Sequence, residues 1–73
     1  MPRVWLAELN RANWNRGIVV TDSDDLWTVW KKKPGRPTDW DRVSQFKWKP
    51  GYNEEEAQAW AETEVAILIL RGG

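Results

Sequence analysis

The stretch Val65-Ala66-Ile67-Leu68-Ile69-Leu70 is the longest unbroken apolar run in the chain, and it sets the terms for the fold. Six residues fall far short of the ~20 needed to cross a bilayer. The run is short and rich in β-branched residues, which predicts a strand rather than a helix. Val65, Ile67 and Ile69 then share one face, and Ala66, Leu68 and Leu70 share the other. A strand apolar on both faces belongs in the middle of a sheet with cover on each side. The expectation is a central C-terminal strand over 65–70.

The chain has 73 residues, which predicts a single domain over 1–73 with little room for a core. It contains no cysteine and no histidine, so disulfides, thiolate metal sites and imidazole zinc sites are excluded. Packing must hold the fold, and the bulkiest packing material is tryptophan, at positions 5, 14, 27, 30, 40, 48 and 60. Most of these are expected in the core, with one or two left for a partner. The formal net charge is zero but segregated: residues 1–20 carry +2, 21–30 carry −3, 31–50 carry +5 and 51–73 carry −4. Such blocks suit electrostatic steering toward a partner rather than general coating of nucleic acid. The start Met1-Pro2-Arg3-Val4 lacks the apolar core of a signal peptide, and a cytoplasmic protein is expected.

Along the chain, Val4 to Leu9 alternates loosely and reads as a strand, although Leu, Ala and Glu also form helices. Asn10 to Arg16, with three asparagines, reads as a loop. Gly17–Thr21 and Leu26–Lys32 read as a hairpin around the acidic turn Asp22-Ser23-Asp24-Asp25. Lys33–Pro37 is punctuated as a loop. Thr38 and Asp41 have capping-box-like spacing, so a single helical turn near Trp40 is expected. Arg42–Lys49 alternates as a half-buried strand with Phe46 and Trp48 inward, and residues 49–52 turn the chain. Asn53 with Glu56 makes a capping box, and Glu54–Glu56 complement the helix dipole. A helix over about 53–63 follows, with Ala57, Trp60 and Ala61 on one face against the final strand. The predicted class is α+β: a small antiparallel sheet of about four to five strands with one packed helix.

Motifs for chemistry are sparse. A calcium loop started at Asp22 needs a bidentate Glu at its twelfth position, which here is Lys33, so the acidic turn reads as solvated surface. Without His or Cys the common bases and thiol nucleophile are missing, and a non-enzymatic protein with no metal or cofactor is expected. The run Lys31-Lys32-Lys33-Pro34-Gly35-Arg36-Pro37 resembles an AT-hook, whose Gly-Arg-Pro core lies in the minor groove. Gly35, Arg36 and Pro37 match that core, and Lys31, Lys32 and Lys33 are placed to meet phosphates or steer association. Pro34 stands where the motif has a basic residue, and a solvated basic loop is the plainer reading. The tail Leu70-Arg71-Gly72-Gly73 resembles that of ubiquitin-like conjugates, but the order of elements does not, and a frayed end is expected. Trp14, set between Arg11 and Arg16, has the residue types of an interface hot spot.

From MPRVWLAEL through LWTVWKKKPGRP to AILILRGG, the whole chain resembles small bacteriophage proteins that bind host RNA polymerase, of the transcription inhibitor and antiterminator kind found in a lytic phage of Xanthomonas. That resemblance implies a monomeric, non-membrane regulator in the host bacterial cytoplasm, docked on the β′ side of the polymerase. Arg3, Arg11, Trp14 and Arg16 are the expected partner-binding residues. Lys31, Lys32, Lys33 and Arg36 are expected to steer or to touch nucleic acid. The alternative is a DNA-binding regulator using loop 31–37.

Overall fold

The structure, a computed structural model, describes residues 4–23, 25–47 and 53–72. The elements run α1 (Val4–Asn13), a 3-10 turn (Trp14–Arg16), β1 (Ile18–Ser23), β2 (Leu26–Lys33), β3 (Arg36–Lys47) and α2 (Glu54–Leu70). The three strands form an antiparallel meander in the order β1-β2-β3. The class is α+β as expected, with three described strands and two helices in place of four to five strands and one helix.

Pairing assigns each strand residue to a face. Ile18 and Val20 lie beside Lys31 and Val29, and Trp27 lies beside Phe46. Ile18, Val20, Trp27 and Val29 are fully buried, and they meet Ala57, Ala61 and Val65 of α2 in one core. Trp5, Leu6 and Leu9 of α1 pack on the same cluster. Both helices therefore cover one face of the sheet, termed inner here, in two layers. Trp5 stacks on Trp27 at 5.3 Å between centroids, and Phe46 meets Trp60 at 5.4 Å. The Trp5 Nε1–H also donates to Glu54 Oε1 at 2.8 Å, tying α1 to the start of α2.

The apolar run 65–70 is not a strand. It is the C-terminal part of α2, which the Asn53 cap opens by accepting the Glu56 N–H at 2.9 Å. Nothing between Thr63 and Val65 breaks a helix, and adding a residue to an existing helix is far easier than starting a strand anew. The stripe Ala57, Ala61, Val65 and Leu68 continues at i, i+4, i+8 and i+11, so the helical register carries the run onto the core. The helix ends where Gly72 takes φ +80° and donates to Ile69 O, a glycine stop rather than a frayed tail.

The expected strand over Val4–Leu9 is likewise helix α1. Trp5, Leu6 and Leu9 form one stripe, and the helix formers Leu, Ala and Glu prevail. The expected loop 10–16 is the end of α1 plus the 3-10 turn. Among the described residues β1 has no second neighbour strand, and Asn10 takes that place. Its Nδ2 donates to Val20 O and its Oδ1 accepts Val20 N–H, both at 2.9 Å, so one side-chain amide pairs with the free edge of β1 as a peptide unit would.

The hairpin β1–β2 forms as expected, but its turn is shorter than the expected 22–25: Asp22 and Ser23 belong to β1 and pair with Trp27 and Leu26. The helical turn expected near Trp40 is strand β3: Trp40, Asp41 and Arg42 pair with Lys32, Lys31 and Trp30, and Arg36 pairs with Lys33 across a register slip at Lys32/Lys33 that leaves residues 37–39 out of the pairing. The register slips at Val29/Trp30, where Ser44 and Arg42 are the partners and Val43 is left as a bulge. The inward Trp48 and the turn 49–52 lie outside the described residues. Among the described residues no helix is long and apolar enough to cross a membrane.

Candidate functional site

The outer face of the sheet is left open by the helices. Two residues on one strand separated by an odd number point to opposite faces, so a buried Trp27 sends Trp30 outward. Val19 is the Cα partner of Trp30, and Thr21 follows on the same side of β1. Trp30 Nε1–H donates to Thr21 Oγ1 at 2.8 Å, which fixes the indole across β1. The Val43 bulge turns Arg42 and Trp40 to the outer face while leaving Phe46 on the inner one. Trp14 arrives from the 3-10 turn, with its ring 6.1 Å from that of Trp40 at 49°. Trp14, Val19, Thr21, Trp30 and Trp40 line an open cleft of about 390 Å³. Lys32 sets its Nζ 5.4 Å from the Trp40 ring centroid, a cation–π contact at the rim.

Gly17 brings Trp14 to this place. It has φ +70°, and a Cβ built on it would lie 3.0 Å from the Cβ of Lys32. Its N–H closes the 3-10 turn on Trp14 O at 2.9 Å, and its carbonyl accepts from Lys32 N–H at 2.8 Å. Only a residue without a side chain allows this left-handed turn so close to β2. Beside the cleft runs a second groove of about 290 Å³, lined by Asn15, Arg16, Gly17, Lys31, Lys32, Lys33, Pro34 and Gly35. Among the described residues, the linings of cleft and groove together hold four cations, Arg16 and Lys31–Lys33, and no carboxylate.

The expected site residues divide as follows. Trp14 is 56% exposed at the cleft, and Arg16 lies in the basic groove, its Nη1 donating to Ala12 O at 3.4 Å. Arg11 is exposed in the last turn of α1, where it complements the helix dipole. Arg3 lies outside the described residues. Lys31 and Lys32 are half-buried at the end of β2. Lys33 pairs with Asp41 and Arg36 with Asp39, each at 3.4 Å. Gly35 has φ +72° in the tight turn between β2 and β3, and Arg36 and Pro37 open strand β3, so the Gly-Arg-Pro segment is built into a hairpin. Trp30 and Trp40 were missed as site residues. The parity of Trp27 and Trp30 carried a signal for the first, whereas nothing local marked Trp40. Among the described residues no three His, Cys, Asp or Glu side chains converge. Comparison with protein-family models, with characterised proteins and with solved structures finds no match.

Proposed function

We propose that this chain is a non-enzymatic regulator that docks on bacterial RNA polymerase, inhibits initiation from host promoters and promotes read-through of terminators. The choice of partner, including its β′ side, rests on the whole-chain resemblance described above. The observation that carries a docking role is the placement of Trp14: a large indole, more than half exposed, held by Gly17 at the lip of an apolar cleft with Arg16 beside it. A tryptophan anchor flanked by arginine is the composition of interface hot spots. Binding would act by favouring a polymerase conformation or σ arrangement unsuited to initiation.

Duplex binding through loop 31–37 has less support, since Arg36 and Lys33 already face carboxylates and the loop is a tight turn. The test is size-exclusion of the tagged chain with bacterial RNA polymerase at moderate salt. A stoichiometric complex that Trp14→Ala weakens at least tenfold is expected. Absence of any complex overturns the polymerase reading.

A further inference from the structure

We propose that the outer face of the sheet binds single-stranded nucleic acid, stacking bases on the indoles of Trp14, Trp30 and Trp40 and seating phosphates in the adjoining basic groove. The inference stands on the face itself and does not depend on polymerase docking. Nonspecific single-strand binders pair two features, aromatic side chains on which bases stack and a cationic groove that tracks the backbone. Both occur here side by side. The cleft presents three indoles, on two strands and a glycine-braced turn. The groove is lined by the chain neighbours of Trp14 and Trp30, Asn15 and Lys31, and Arg16 and Lys31–Lys33 make up half of its lining.

Charge complementarity selects the occupant. Among the described residues no carboxylate lines the cleft or the groove; Asp41, opposite Lys31 on β3, pairs with the groove residue Lys33, and Asp39 pairs with Arg36. Arg16 and Lys32 border the outer face and are placed to meet an anion, whereas Lys31, the partner of the buried Ile18, lies on the inner side of β2. A duplex hides the faces of its bases, so an open platform of indoles has use only for unpaired ones. Thr21 supplies the one hydroxyl lining the cleft, and its Oγ1 accepts from Trp30 Nε1–H. Base stacking and phosphate contacts of this kind are common to RNA and DNA.

The experiment is a fluorescence-anisotropy titration of the full chain against labelled dT15, rU15 and a hairpin duplex of equal charge, at 50 to 200 mM salt. Saturable binding to dT15 and rU15 within about threefold of each other is expected, and at least tenfold weaker binding to the duplex. With two phosphates met, log K should fall against log salt with a slope of about −1.4. Trp40→Ala should lose about 5- to 150-fold, one stacked base. Trp40→Phe keeps a stacking ring and should recover most of it, which separates stacking from fold damage. Arg16→Gln with Lys32→Gln should flatten the salt slope. The proposal is overturned by no saturable binding at 50 mM salt, by equal affinity for the duplex, or by Trp40→Ala and Trp14→Ala binding like the parent. It is also overturned if Trp40→Ala weakens a polymerase complex while no oligonucleotide binds, since the face then belongs to a polypeptide.

Discussion

Asn10→Ala removes the amide that closes the free edge of β1. Two part-buried hydrogen bonds are lost, to Val20 O and from Val20 N–H, both 2.9 Å long in the parent. At about 0.5–1.5 kcal/mol each the gross loss is about 1–3 kcal/mol. Two effects reduce it. Water reaches an edge strand and satisfies part of what the amide leaves, and alanine is the better helix former at an interior position of α1, by up to about 0.7 kcal/mol. The net expectation is about 1 kcal/mol of destabilisation, or a Tm lowered by about 4–8 °C for a domain this size. Asn10→Asp keeps the acceptor for Val20 N–H but sets a carboxylate against the Val20 carbonyl, so it should cost more than alanine. Urea denaturation gives the stabilities, and hydrogen exchange at the Val20 amide reports the bond itself. If Asn10→Ala is as stable as the parent and Val20 exchanges no faster, the amide does not act as a surrogate strand and the account of how α1 is attached to the sheet fails.

Other consequences are checked by the same denaturation assay. Gly17→Ala forces a Cβ into a left-handed turn 3.0 Å from Lys32 Cβ; a loss of at least 1–2 kcal/mol and altered Trp14 emission are expected. Ala61→Leu adds three carbons where α2 lies against β2 with no exposed surface, and should cost about 1–3 kcal/mol. Ala66→Gly, at an exposed position inside α2, should cost about 1 kcal/mol and lower the helical signal in circular dichroism, whereas the strand read from sequence alone would lose no helix.

Much of the middle of the chain was legible because its signals are local. The hairpin Ile18–Lys33 follows from β-branched runs bracketing an acidic turn, and the start of α2 follows from Asn53 and Glu56. The core stripe Ala57, Ala61 was visible at helical spacing. Trp14 stood out as an aromatic between arginines, and it does reach the candidate surface, but Arg11 and Arg16 were not distinguishable by sequence and only Arg16 borders the groove. The expectation that one or two tryptophans would be spared from the core undercounts: Trp14, Trp30 and Trp40 line the outer cleft.

The residue types alone determined that this is a small α+β unit held by packing, without thiol or imidazole chemistry, and with its acidic and basic residues in separate blocks. Those properties are set by composition and by patterns a few residues long. Tertiary structure decided the rest. Val65–Leu70 satisfies both a strand and a helix, and the choice came from a stripe begun at Ala57 that only pays off against the buried face of β2. Trp40 and Phe46, an even number apart, should share a face; the bulge at Val43 separates them, putting one indole on the open surface and one phenyl ring in the core. A period of two is a local rule, and a register slip is settled only between neighbouring strands.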